Sequence, residues 1–170
     1  MQLHHESVPF QNKQFPIVLV CDSILFQPNI GSLFRISEAF GVEKILFLGM
    51  GNQMNHRKIN KTSRNTHLHV PYDLYETKEE VVAYLTENDF EIIALEITSN
   101  SKPLEELQFS KNKKIALLIG NEIQGVSEYF LKNSNQVTHI EMFGKNSSMN
   151  VVQATGIALY EITRKIKQVL

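Results

Sequence analysis

Six short β-rich runs constrain this chain more than any other feature, at residues 17–21, 44–48, 68–70, 90–96, 114–119 and 137–140, and most of them string Val, Ile, Leu or Phe together at successive positions. A strand wetted on one face alternates apolar and polar residues, so a run that is apolar throughout must be covered on both faces. Helix-patterned stretches lie between the runs, and that alternation is the signature of a mostly parallel sheet with crossover helices on its faces. The chain is therefore expected to adopt an α/β fold.

The helical stretches have their own signals. Residues 30–40 place Ile30, Leu33, Phe34, Ile36 and Phe40 on one stripe, with Gly41 positioned as a C-terminal cap. Thr77 and Glu80 spell a capping box ahead of residues 81–85. A last helix is expected from about Met149 to the end, turning Val152, Ile157, Ile162, Ile166 and Val169 inward and Glu161, Arg164, Lys165 and Lys167 outward. With no internal repeat or linker, the 170 residues read as a flexible N-terminal arm over 1–15 and one domain over 16–170. A domain that long buries about 70% of its unfolded surface and needs no staples.

Cys21 is the single cysteine, so no internal disulfide can form. The polar N-terminus, with His4, His5 and Glu6, lacks an apolar signal core, and no run approaches the ~18 apolar residues of a membrane span. A cytoplasmic protein with no membrane partner is expected.

Net charge is −1, yet no Asp or Glu occurs between Lys44 and Tyr72. Arg57, Lys58, Lys61 and Arg64 fall inside that gap and are candidates for a phosphate-facing surface; the alternative is a solvated basic loop. The stretch over 49–66 also reads as an irregular connection, longer than most and therefore functional.

Three loops follow expected strands and are candidates to meet at one sheet edge, where open α/β sheets bind ligands. In the first, Asn29 is placed to cap a helix, Gly31 permits close backbone approach, and Arg35 lies nearly two turns in. In the second, Gly120 and Gly125 flank Glu122 in a strand-to-helix turn, where bare backbone could meet a ligand and the acid could accept a hydrogen bond or meet a cation. In the third, Ser147, Ser148 and Asn150 precede the last helix in greater number than capping requires. Capping is the plain alternative for the first and third loops, and a mere strand-to-helix turn with no ligand is the alternative for the second. His67 and His69, at strand spacing, would share a face, but no Cys or carboxylate stands near to complete a metal set, so no metal is expected. No phosphate loop or nucleophile elbow is present.

Together the three segments resemble the three motifs of the SpoU family, ribose 2′-O-methyltransferases of the SPOUT superfamily. Asn29, Gly31, Ser32 and Arg35 match the first motif, and Gly120, Glu122 and Gly125 the second. Ile140, Met142, Gly144, Ser148, Met149, Asn150 and Val151 match the third. The resemblance implies a SPOUT-like α/β fold with a C-terminal trefoil knot and a homodimer. It implies S-adenosylmethionine held around Leu95, Gly120, Ile140, Ser148 and Met149, and a catalytic Arg35 with Asn29, Glu122, Ser148 and Asn150 arranging the site. The implied partner is RNA: tRNA first, ribosomal RNA second.

An arginine's reference pKa of about 12.5 to 13.8 makes its deprotonation near pH 7 cost about 8 kcal/mol. Arg35 is therefore expected to stay cationic, bind phosphate and stabilise a developing alkoxide, with the proton leaving to phosphate or water. Two alternatives stand beside this reading. One is a catalytically silent RNA-binding or assembly factor on the same scaffold; the other is an unrelated nucleotide-binding α/β protein, which would need the missing phosphate loop.

Overall fold

The computed structural model describes residues 12–51, 54–109 and 114–169. In chain order the elements are β1 (Phe15–Asp22), α1 (Gln27–Ala39), β2 (Val42–Leu48), α2 (His56–Ser63), β3 (Tyr72–Tyr75), α3 (Lys78–Glu87), β4 (Phe90–Leu95), β5 (Lys102–Pro103), β6 (Lys114–Ile119), α4 (Glu128–Lys132), β7 (Gln136–His139) and α5 (Val151–Val169). Seven strands form one sheet in the order β3-β2-β1-β6-β4-β7-β5, and every pairing is parallel.

The sheet explains the unbroken apolar runs. Ile17, Leu19 and Cys21 of β1 face a core shared with Ile30, Leu33 and Phe34 of α1 and Leu159 and Ile162 of α5. Val18 and Val20 face the opposite core, with Val81 and Leu85 of α3 and Phe130 of α4. Successive side chains thus enter two different cores, and each full burial of a Val, Leu, Ile or Phe contributes about 1.5 to 3 kcal/mol. The capping box forms as expected, with the Glu80 N–H donating to Thr77 Oγ1 and Glu80 accepting from the Thr77 N–H. Gly41 takes the left-handed conformation at φ +62°.

Several expectations need correction. Residues 68–70 are not a strand: α2 ends on left-handed Arg64 and Asn65, a 3-10 turn covers Thr66–Leu68, and pairing with β2 resumes only beyond Pro71. His67 and His69 therefore do not share a strand face. His67 Nδ1 instead lies 2.8 Å from the hydroxyl of buried Ser63, while His69 is exposed.

The stretch over 49–66 is not irregular throughout. It holds α2, capped where Asn55 Oδ1 accepts from the Lys58 N–H. β1 begins at Phe15, one residue before the expected start of the domain, and residues 1–11, where most of the expected arm falls, lie outside the described ones. The short edge strand β5 was not anticipated. Ile157 of α5 is 43% exposed rather than inward.

Parallel pairing puts the C-terminal ends of β1, β4, β6 and β7 at one edge. The loops that follow them build the site.

Candidate active site

The loop after β6 is held from three sides. Buried Asp22, at the end of β1, accepts from the Ser127 N–H at 2.9 Å. Glu96, just past β4, accepts from the Val126 N–H at 2.8 Å. Asn121 donates to the Ser23 carbonyl at 2.8 Å, and its backbone bridges to Gly125 to close the turn. The two motif glycines serve this turn. A Cβ on Gly120 would strike the backbone of Gly125 and Val126, and one on Gly125, which sits at φ +68°, would strike the Glu96 carboxylate. One close approach that these glycines permit is therefore made by the chain itself, and both still line the cavity described below. The segment is also a closed turn rather than a direct strand-to-helix junction, since α4 starts only at Glu128.

Asn29 is not a cap either. α1 starts at Gln27 with Pro28 in its first turn and Phe26 at the cap position, which leaves Asn29 inside the helix and buried. A buried amide costs free energy unless it is hydrogen-bonded, and here it is. Asn29 Nδ2 donates to Glu122 Oε1 at 2.5 Å, and Asn29 Oδ1 accepts from Asn150 Nδ2 at 3.4 Å. Asn150 in turn caps α5, its Oδ1 accepting from the Val152 N–H at 2.9 Å. Every amide in this chain has one assigned orientation, because flipping either would set donor against donor or acceptor against acceptor. One residue from each of the three loops is thereby joined in a single network.

Glu122 also lies close enough to matter to Cys21. Burial, and then the Glu122 charge, push that thiol well above its ordinary pKa.

The network borders a cavity of about 760 Å³, within the roughly 300 to 1,000 Å³ range of small-molecule sites. Leu95, Gly120, Ile140, Ser148 and Met149 all line it, as do Glu122 and Asn150. Among the described residues, its charged lining groups are Glu96 and Glu122, with no Lys or Arg. A phosphate-rich ligand is disfavoured there, and a ligand carrying positive charge is favoured.

Arg35 does not line this cavity. It is exposed on α1 and has no hydrogen-bond or ion-pair partner among the described residues. The motif's Gly31 is used for helix packing, since a Cβ there would strike Thr62 Oγ1 and the Ile59 carbonyl of α2. α2 is thereby pressed onto α1, and Gln27 Oε1 accepts from the Asn55 N–H at 3.0 Å where the two helices start. Arg57, Lys58, Lys61 and Arg64 are all exposed. Among the described residues, no cluster of His, Cys, Asp or Glu is arranged to hold a metal ion, and no helix is long and apolar enough to cross a membrane.

A model of the SpoU rRNA methylase family matches residues 16–160. The chain belongs to that family. Among its relatives, the tRNA (guanosine(18)-2′-O)-methyltransferase of Aquifex aeolicus is 26% identical over 156 residues, covering 91% of this chain and 72% of the relative. The 23S rRNA (guanosine(2553)-2′-O)-methyltransferase RlmP of Bacillus subtilis is 26% identical, over 85% of this chain and 57% of that one. In structure, this SpoU chain superposes on the A. aeolicus TrmH/SpoU tRNA modifying enzyme with a TM-score of 0.81 at 24% identity, covering 92% of this chain and 78% of that one. An AdoMet-bound rRNA methyltransferase from Sinorhizobium meliloti gives 0.83 at 20% identity, covering 92% and 59%. The SpoU chain thus spans between about half and three quarters of the length of these proteins. A further structure, concerned with 2′-OH methylation of C/U34 on tRNA, is covered over 97% of its length, with 89% of this chain, at a TM-score of 0.78 and 23% identity.

Within the site, Glu96, Asp22 and His139 were not anticipated from sequence. Each sits at a strand end outside the three motifs. For Asp22 and Glu96 the signal was positional only, a polar residue closing an apolar run; His139 ends β7 without one.

Proposed function

We propose that this protein is an S-adenosylmethionine-dependent RNA 2′-O-ribose methyltransferase that acts in the cytoplasm on tRNA, with ribosomal RNA second. The observation that carries the reading is the network joining Asn29, Glu122 and Asn150 beside a cavity lined, among the described residues, by acidic groups and no Lys or Arg. A silent scaffold has no need to bury an amide in order to aim a carboxylate. Support for tRNA comes from the A. aeolicus relative's name and from the tRNA-modifying neighbour covered over 97% of its length, a chain of this size.

The cavity fits the cofactor. Apolar Leu95, Ile140 and Met149 can flank an adenine, the backbone around Gly120 and Ile140 can read its polar edge, and Ser148 adds a hydroxyl. When bound, S-adenosylmethionine supplies a methyl group on a positively charged sulfur, and the remaining work belongs to the chain. Glu122 has one oxygen fixed by Asn29, which leaves its other oxygen to orient the ribose hydroxyl. Arg35, exposed and unpaired among the described residues, binds an RNA phosphate and steadies charge developing on the 2′-oxygen; the proton leaves to phosphate or water. α2 offers Arg57, Lys58, Lys61 and Arg64 to the RNA backbone.

The reading includes a homodimer and a knot. Ile157 and Tyr160, 43% and 61% exposed on α5, supply an apolar face for a second copy, and such an arrangement can bring one protomer's Arg35 to its partner's cavity. The segment over 140–150 passes the loops after β4 and β6 on its way from β7 to α5 beside α1, which is the course a threaded C-terminus takes.

The test is transfer of labelled methyl from S-adenosylmethionine to unmodified tRNA, with the label recovered in alkali-resistant dinucleotides. Label in base-methylated nucleosides, or none in any RNA, would overturn the proposal.

A further inference from the structure

Glu96 belongs to none of the three motifs, yet its carboxylate lies in the cavity wall. It accepts from the Val126 N–H at 2.8 Å through Oε2 and from the Ile97 N–H at 2.9 Å through Oε1. A carboxylate offers about four acceptor positions, so half of its capacity is left over. Among the described residues, no Lys or Arg lines the cavity to use the rest.

Its place in the sheet narrows the choice of ligand group. Glu96 follows β4, whereas Asn29 follows β1 on α1, and β6 runs between the two strands. Two strand spacings put roughly 10 Å between those strand ends. The Glu122–Asn29–Asn150 network marks the reacting end of the site, so Glu96 serves a part of the ligand remote from the transferred methyl. An anchored anion with two free acceptor positions suits a pair of neighbouring hydroxyls.

We propose that Glu96 binds the vicinal hydroxyls of the cofactor's ribose and couples that contact, through Val126, to the shape of the loop after β6. The inference rests on the cofactor reading given above. Glu96 is a binding and positioning residue; it takes no part in the chemistry.

Calorimetric titration of the full chain with S-adenosylhomocysteine, its 2′-deoxy counterpart and S-adenosylmethionine tests this. Wild type should bind the 2′-deoxy ligand about 10- to 100-fold more weakly, as a lost hydrogen bond to a charged group dictates. In Glu96→Ala and Glu96→Gln that penalty should shrink to about threefold or less. Glu96→Gln keeps an acceptor for the Val126 N–H, so it carries the test if the alanine variant does not fold. A deoxy penalty equal in wild type and variant would overturn the proposal and leave Glu96 a loop clamp. A variant loss confined to S-adenosylmethionine would overturn it too, marking Glu96 as counter-charge to the sulfonium. If wild type binds none of the three ligands, the cofactor reading itself fails, a result distinct from either.

Discussion

Replacing Gly31 with alanine separates what the sequence alone suggests from what the packing dictates. Gly31 lies inside α1, and alanine in a helix interior is favoured over glycine by about 1 kcal/mol, so an isolated α1 would be stabilised. In the folded chain the added Cβ meets Thr62 Oγ1 and, at 2.6 Å, the Ile59 carbonyl. The Thr62 hydroxyl can rotate away; the carbonyl belongs to the α2 backbone and can yield only if the helix moves. Overpacking of this kind costs about 1 to 3 kcal/mol, at the upper end where backbone must shift. The net expectation is a destabilisation of about 1 to 2 kcal/mol, or roughly 2 to 8 °C in Tm for a domain of this size. Urea and thermal unfolding measure it. Because α2 carries the exposed basic residues, RNA affinity should fall in the same variant while cofactor affinity holds. A gain of about 1 kcal/mol in Gly31→Ala would refute the packing of α2 on α1 described above.

Three other outcomes are expected. Arg35→Ala should abolish most methyl transfer yet leave cofactor affinity within about twofold, because Arg35 does not line the cavity; equilibrium binding beside a turnover assay decides it, and lost cofactor binding would count against the assignment. Neutralising Arg57, Lys58, Lys61 and Arg64 together should weaken RNA binding and lower the slope of log K against log salt by up to about 3.6, at 0.7 to 0.9 for each phosphate contact removed. Native Cys21, buried and with its thiol pKa raised, should resist a thiol reagent at pH 8, where thiolate stays scarce. In denaturant one thiol per chain should titrate at once, and prompt reaction of the native protein would place Cys21 elsewhere.

The central strands were legible because β1, β2, β4 and β6 are covered on both faces and therefore read as unbroken apolar runs. β3 was not: Pro71 delays its start, and its residues are only half-buried. α2 left no hydrophobic stripe to find, since Ile59 is its one buried apolar side chain. The three motifs pointed to Asn29, Glu122 and Asn150, which the fold joins in one network, but the tasks of these residues were not legible. An Asn directly after a proline and just ahead of a helix-patterned stretch reads as a cap by local rules, and only the fold shows that Asn29 spends its amide on Glu122, 93 positions away. The motif glycines tell the same story. Their spacing signals a close backbone approach, but which backbone approaches is decided by tertiary packing. Glu96 was invisible for a simpler reason, being one acid at the end of an apolar run.

The central claim is that separated turns act as one unit, and a double-mutant cycle on Asn29→Ala and Glu122→Ala measures it most directly. With methyl transfer to tRNA as the readout, each single variant should lose about 10- to 100-fold in kcat/KM, as removal of a charge-assisted hydrogen bond dictates. The double variant should lose little more than either single one, because Asn29 acts through Glu122. Losses that simply multiply would mean that the two residues work independently, and the converged site described above would be wrong.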